Sequence, residues 1–149
     1  MIRLHSVLAR VFTVMFMSLC MTAVLPSARA QGRLSDKDVE RTMRNARDDA
    51  KRFQSHFDSA VGKSIIRKTS QEKNAKKLVK TLTQQTEGML KDFQRTKHAE
   101  KTIPTVMNTA LQVREVMQSA QISGAAAGDW SRFRSEMNIL AQAFNLPPI

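Results

Sequence analysis

Apolar residues recur at alternating steps of four and three between residues 39 and 65. Because an α-helix turns once in about 3.6 residues, this spacing places the apolar side chains along one stripe of a helix. The stripe consists of Val39, Met43, Ala46, Ala50, Phe53, Phe57 and Ala60, and it continues as far as Val61 or Ile65. Such a stripe stabilises a helix mainly when it is buried against a partner, so the pattern requires further apolar elements.

Three later stretches show the same spacing and predict three more helices. The second helix is expected to start at Thr69, end near His98 and bury Ala75, Leu78, Val79, Leu82, Met89, Leu90 and Phe93. The third is expected to start near Pro104 and bury Ile103, Val106, Met107, Ala110, Val113, Met117 and Ala120. After a glycine and alanine linker over residues 123–128, the fourth is expected to start at Asp129 as its N-cap and bury Trp130, Phe133, Met137, Leu140, Ala141 and Phe144.

Hydroxyl and charged residues indicate where the helices begin and which faces meet solvent. Ser35 and Asp38 have the spacing of a capping box, and so do Thr69 and Glu72; in this motif the side chains bind free amides at the start of a helix. The outer face of the first helix carries alternating charges at steps of four, which predicts exposed ion pairs. These residues are Glu40, Arg44, Asp48 and Arg52.

Four amphipathic helices with short connections predict an all-α fold, and specifically an antiparallel four-helix bundle. The alternative is a long two-helix hairpin that forms a dimer, because the spacing of three and four also suits a coiled coil. The chain has no tyrosine, 5 glycines and 4 prolines, and long stretches lack the alternation of a β-strand.

The first thirty residues have the features of a secretory signal peptide. They combine a positively charged start, an apolar run over residues 11–24 and the small-x-small site Ala28-Arg29-Ala30. The run is shorter than the roughly 20 apolar residues that a membrane-spanning helix needs, which favours cleavage over an anchor. We therefore expect residues 1–30 to be removed after Ala30, and residues 31–149 to form a helical domain that is periplasmic or secreted.

Cleavage would leave a basic chain without cysteine, because Cys20 lies in the leader. The remaining 21 basic and 13 acidic residues give a formal net charge of +8. Seven cations, here called the basic cluster, are opposed in sequence only by Glu72: Lys63, Arg67, Lys68, Lys73, Lys76, Lys77 and Lys80. Four of them have the spacing of one helix face and are called the lysine ridge: Lys73, Lys76, Lys77 and Lys80.

The basic cluster is the one feature of the sequence that indicates a partner. A ridge of lysines attracts anionic surfaces without sequence specificity and in a salt-sensitive way. We expect anionic envelope lipids or polysaccharide as its partners, whereas nucleic acid is an unexpected partner for an exported protein. The alternative is a solvated lysine face that only keeps the protein soluble.

No pattern typical of catalysis or of cofactor binding is present. Residues 61–64 read VGKS, like the end of a phosphate-binding loop, but Phe57 stands where that motif requires glycine, and a helix precedes it. Covalent haem attachment requires cysteines, which are absent after residue 30. His56 lies beside the apolar stripe and His98 at a helix end, so neither is expected to ligate a haem or metal. We expect no catalytic residue, no cofactor and no metal site.

The closing segment carries a pattern of six residues, W-x5-E-x-N-x-L-A-x-x-F. It consists of Trp130, Glu136, Asn138, Leu140, Ala141 and Phe144. This pattern resembles the carboxy-terminal segment of small exported bacterial all-helical proteins to which no activity is assigned. The resemblance implies export and helicity, and it implies no chemistry.

Together these features predict an exported, non-catalytic protein with a binding or structural role at the bacterial cell envelope. One alternative is a periplasmic chaperone or adaptor that holds protein clients. A second is a bundle that carries a cofactor, and a homodimer is compatible with either architecture.

Overall fold

The computed structural model describes residues 34–149, and within this range the chain is all-α. The four helices are α1 (Asp36–Val61), α2 (Ser70–Thr96), α3 (Thr102–Ser119) and α4 (Ala125–Ala143). The prediction of an all-α fold with four helices is confirmed for this range, and the long two-helix hairpin is wrong. The predicted signal peptide and its cleavage site lie outside the described residues.

The starts of α1 and α2 follow the predicted capping boxes. The Ser35 hydroxyl accepts from the Asp38 amide at 3.2 Å and donates to the Asp38 carboxylate at 2.6 Å. The Thr69 hydroxyl accepts from the Glu72 amide at 3.4 Å. The Glu72 carboxylate reaches one residue further back than expected and accepts from the Lys68 amide at 2.6 Å.

Helix α1 runs antiparallel to both α2 and α4. Near its start, Glu40 accepts from Gln94 at 3.0 Å, and further along, Lys51 pairs with Glu87 at 2.7 Å. Residue numbers therefore rise along α1 as they fall along α2. On the side of α1 that faces α4, the Asn45 amide donates to Glu136 at 3.4 Å, and His56 Nδ1 lies 2.5 Å from Asp129 Oδ2. Residue numbers therefore also fall along α4 as they rise along α1.

The helices pack side by side in the order α4, α1, α2, α3. Helix α1 packs extensively against α4 and α2, α3 packs against α2, and α3 touches α4 only slightly. The described residues form one compact unit whose buried core draws on all four helices. This unit therefore has its own core, which is what a domain needs to fold by itself.

The predicted apolar stripes are buried, apart from the exposed Ile65 and three partly buried residues. Ala60, Leu78 and Phe144 are only partly buried. Between α1 and α4 the core is aromatic: the ring centroid of Phe53 lies 5.4 Å from that of Phe57 and 5.3 Å from that of Trp130. Trp130 in turn lies 5.5 Å from Phe133. Tilted aromatic contacts at such distances stabilise a core beyond their buried area.

The start of α4 differs from the prediction. The expected linker over residues 123–128 is helical from Ala125 onward, and Asp129 is not an N-cap but a buried residue of the second turn, 1% exposed. Alanine has the highest helix propensity, so the three alanines extend the helix backward. Gly124 stops this extension because its φ of 70° lies in the left-handed region that glycine adopts without strain.

The predicted surface ion pairs of α1 are half right. Glu40 pairs with Arg44 at 2.5 Å as expected. Arg52 pairs with Asp49 instead of Asp48, which pairs with its neighbour Arg47. Asp49 is 4% exposed, and a buried carboxylate requires a cation or hydrogen-bond donor, so Arg52 is drawn toward it.

Substitution of Glu40 is expected to change the pH dependence of stability. Hydrogen bonds from Gln94 and Arg44 lower the pKa of Glu40 to about 2. In the unfolded chain this carboxyl has its ordinary pKa, so the stability it contributes is present above about pH 4.5 and is lost as pH falls toward 2. We expect Glu40→Gln to be less stable than the wild type at neutral pH, with a difference that shrinks across this window in urea unfolding.

The matched control for Glu40→Gln is Glu115→Gln. Glu115 is exposed on α3 and takes part in no ion pair within residues 34–149. If the difference in the free energy of unfolding between Glu40→Gln and the wild type stays the same from neutral pH to acid, the assigned role of Glu40 is contradicted.

Candidate anion-binding surface

The basic cluster spans the loop between α1 and α2 and the first turns of α2. Lys63, Arg67 and Lys68 lie in the loop over residues 62–69, and all three are exposed. The other four residues lie on α2. Because Lys68 is followed directly by the N-cap Thr69, the loop cations continue into the start of the helix.

The lysine ridge lies on the side of α2 that faces away from the core. Lys73, Lys77 and Lys80 are exposed, whereas the buried stripe at this level consists of Ala75 and Val79. Residues at steps of four and three share one helix face, so these three ammonium groups project from one side of the protein. Within residues 34–149, none of the three forms an ion pair.

Lys76, the fourth residue of the ridge, is neutralised by a neighbour. Its Nζ lies 2.7 Å from Glu72 Oε1, one helix turn earlier. This hydrogen bond lowers the pKa of Glu72, with help from the Lys68 amide, and raises the pKa of Lys76. The ridge therefore presents three uncompensated lysines rather than four.

The loop also presents a large apolar side chain among its cations. Ile65 is 71% exposed, while its neighbour Ile66 is partly buried against the core. Gly62 caps α1 after Val61, so the helix ends before the apolar stripe reaches Ile65. The prediction that the buried stripe continues to Ile65 is therefore wrong, although the spacing of the sequence fits it.

An apolar groove opens beside Ile65, between the loop, the start of α2 and the end of α3. It has a volume of about 550 Å³, within the range of about 300–1,000 Å³ typical of small-molecule sites. Its apolar lining comes from Ile65, Ile66, Ala75, Leu78 and Val116. Its polar lining comes from Gln71, Asn74, Gln112 and Ser119. Nothing in the sequence pattern indicated this groove, because it depends on how α3 packs on α2.

A second polar cluster joins α1 to α4, and no spacing in the sequence indicates it because its members lie on two separate helices. The Asp129 carboxylate lies 2.5 Å from His56 Nδ1 and also pairs with Arg132. The Asp49 carboxylate pairs with Arg52, and its Oδ1 lies 3.7 Å from Arg132 Nε. The two carboxylates are nearly fully buried, whereas the cations and the histidine are about half exposed. This network neutralises two buried acids on facing helices, so its evident role is to join them.

The His56 and Asp129 pair has the form of two members of a catalytic triad, and three serines lie near it. Ser59, Ser64 and Ser123 line a shallow depression of about 360 Å³ that His56 borders. Within residues 34–149 none of these hydroxyls hydrogen-bonds to His56, and Ser64 instead donates to the Val61 carbonyl at 2.8 Å.

His98 lies at the other end of α1, where it borders a depression lined by Asp36 and Val39. It is therefore separated from His56 by roughly 25 Å of helix. In the part of the chain that the structure describes, no three histidine, cysteine or acidic residues come together in a way that could hold a metal ion. The buried methionines Met43, Met89 and Met137 fill the core.

No family model, curated protein or solved structure matches this chain. The resemblance of the closing segment to exported bacterial helical proteins therefore stays a prediction. The structure gives residues of that pattern packing and hydrogen-bonding roles: Trp130, Leu140 and Ala141 are buried, and Asn138 accepts from the Ile149 amide at 2.9 Å.

Glu136, also in the closing pattern, lies partly buried against α1. Burial raises its pKa, partly offset by the hydrogen bond from Asn45.

None of α1 to α4 is long and apolar enough to cross a membrane.

Proposed function

We propose that this protein is an exported, non-catalytic antiparallel four-helix bundle that binds anionic lipids of the bacterial cell envelope through the basic cluster. The single observation that supports this proposal is the ridge of three uncompensated lysines, which continues into the loop cations. The predicted signal peptide and the resemblance of the closing segment support the location. Polysaccharide that carries phosphate or carboxylate groups is the second partner of the same chemistry.

The strength of such binding can be bounded from the number of exposed cations. Each lysine or arginine near an anionic membrane surface contributes about 1 kcal/mol. Six exposed cations therefore contribute about 6 kcal/mol, which corresponds to a Kd between millimolar and micromolar. This attraction is screened when salt is raised, because the Debye length falls from about 10 Å at 0.1 M to about 3 Å at 1 M.

A chaperone or adaptor function has less support. Holding unfolded clients requires a contiguous apolar surface. Among the described residues, the large hydrophobic side chains that are exposed are Ile65 and Ile139, which lie on different elements. One exposed isoleucine beside a groove suits a small apolar group better than a protein client.

Reversal of the ridge charges tests the proposal. We expect residues 31–149 to co-sediment with phosphatidylglycerol vesicles at about 0.1 M salt and not with phosphatidylcholine vesicles. The triple variant Lys73→Glu, Lys77→Glu and Lys80→Glu is expected to lose this binding at least about a hundredfold, because three attractions become repulsions.

The matched control carries the same change in net charge elsewhere. Lys37→Glu, Lys101→Glu and Arg134→Glu alter three exposed cations outside the basic cluster, and we expect most of the binding to remain. Equal losses in the two triple variants would show that only net charge matters. Equal wild-type binding to anionic and neutral vesicles would remove the proposal, and a second series with anionic polysaccharide would separate the two partners.

A further inference from the structure

The apolar groove beside the basic cluster has no role in the electrostatic binding of an anionic surface. Five of its nine lining residues, from the loop, α2 and α3, are apolar, and the other four are polar. Cations adjoin two of the lining residues along the chain: Arg67 directly follows Ile66 in the loop, and Lys77 directly precedes Leu78 on α2. Successive Cα atoms are about 3.8 Å apart, so the backbone of each of these two cations lies next to that of a lining residue.

We propose that this groove takes one acyl chain of an anionic phospholipid, while the phosphate of the same molecule lies on the loop cations. This inference rests on the proposed function and names the part of the lipid that the protein recognises. A molecule with an apolar tail and an anionic head matches both halves of the surface, whereas a free anion would leave the groove empty. A protein segment without acidic residues would leave the cations unpaired.

Two features of the site suit an acyl chain. The groove has a volume of about 550 Å³ and an apolar lining with polar amides at its rim, including Gln112 on α3. Ile65 stands at the mouth with 71% of its surface exposed, where contact with a methylene chain would remove it from water. Each methylene that leaves water contributes about as much as one surface cation, so a chain and a charge patch together bind more firmly than either alone.

The exposed Ile65 also distinguishes this end of the protein from its other surfaces. The second large exposed apolar residue, Ile139, is 41% exposed on α4 and lines none of the described depressions. It therefore serves as a matched control for Ile65. An effect of general surface hydrophobicity would appear at both positions, whereas an effect of the groove appears at Ile65 alone.

The test uses a single-chain anionic lipid, lysophosphatidylglycerol, below its micelle concentration. We expect residues 31–149 to bind it one to one in calorimetry or native mass spectrometry. Binding should be at least about tenfold tighter than that of glycerol phosphate, which carries the charge without the chain. This difference in affinity should persist when salt is raised, because salt does not screen the burial of an acyl chain.

Variants of the groove separate the chain from the charge. Gln112→Trp places a large side chain into the groove from an exposed position, and Gln118→Trp places the same side chain on α3 outside it. We expect Gln112→Trp to reduce lysolipid affinity about tenfold or more and Gln118→Trp to leave it unchanged. Ile65→Ser should weaken binding, and Ile139→Ser should not.

Each outcome bears on this inference separately from the proposed function. Equal lysolipid binding by the two tryptophan variants would overturn the groove as the site, and so would a lysolipid that binds no tighter than glycerol phosphate. If such a protein still sediments with phosphatidylglycerol vesicles, the proposed function stands without the groove. A concentration-dependent dimer that Gln112→Trp abolishes would show that the groove holds a second copy and would also overturn the inference.

Discussion

Replacement of Phe53 by alanine is expected to lower the free energy of unfolding by about 3 to 5 kcal/mol. Phe53 is fully buried, and its ring touches Phe57 on α1 and Trp130 on α4. The substitution removes most of a large side chain from the interface that joins these helices and leaves a cavity that neighbouring rings fill only in part. Because small domains are stable by only about 5 to 15 kcal/mol, this is a large share of the total.

Thermal unfolding followed by circular dichroism measures this effect. For a domain of this size we expect the Tm to fall by about 10 to 20 °C. The matched control is Phe144→Ala, which removes the same atoms from a residue that is only partly buried beyond the end of α4. It should cost about 1 kcal/mol. Equal losses at the two positions would contradict the placement of Phe53 at the centre of the core.

The second large effect is expected when both partners of Asp129 are removed together. Asp129 is 1% exposed and is bound by His56 from α1 and by Arg132 from its own helix. His56→Ala with Arg132→Ala leaves a buried carboxylate without either partner. Leaving such a charge uncompensated costs about 3 to 5 kcal/mol, whereas each single variant should cost less because the other partner remains.

A third substitution separates this explanation from lost packing. Adding Asp129→Ala to the double variant removes the stranded charge, so we expect part of the lost stability to return in urea unfolding. His98→Ala with Arg134→Ala removes the same two residue types from exposed positions and should have little effect. If the triple variant is less stable than the double variant, Asp129 stabilises the fold in a way that the two ion pairs do not explain.

The helices could be predicted because their information is local and repeated. Seven apolar positions in α1 agree on one face, so a single exception such as Ala60 does not change the outcome. The capping residues Ser35 and Thr69 act within one turn of their own position. Short-range rules of this kind apply whichever way the helices later pack.

The start of α4 could not be predicted, because two local preferences compete there. Asp129 favours an N-cap, and the alanines before it favour helix. The alanines prevail, and the carboxylate of Asp129 is satisfied from another helix by His56. The partner of a buried acid depends on which helices meet, and a single sequence does not state this.

The candidate site was predictable in its charges and not in its shape. The positions of Lys73, Lys77 and Lys80 follow from helical spacing alone. The neutralisation of Lys76 requires a particular rotamer of Glu72, and the groove requires α3 to lie across α2. The spacing predicts Ile65 as part of the apolar stripe, but Gly62 ends the helix before the stripe reaches it.

Because of the packing order of the helices, α3 packs extensively against one helix only. It packs mainly against α2 and only slightly against α4, whereas α1 packs extensively against both α2 and α4. Regions attached through few contacts open at lower free energy than the whole domain unfolds. Helix α3 and the groove wall that it forms are therefore expected to open at a lower free energy than the aromatic interface of α1 and α4.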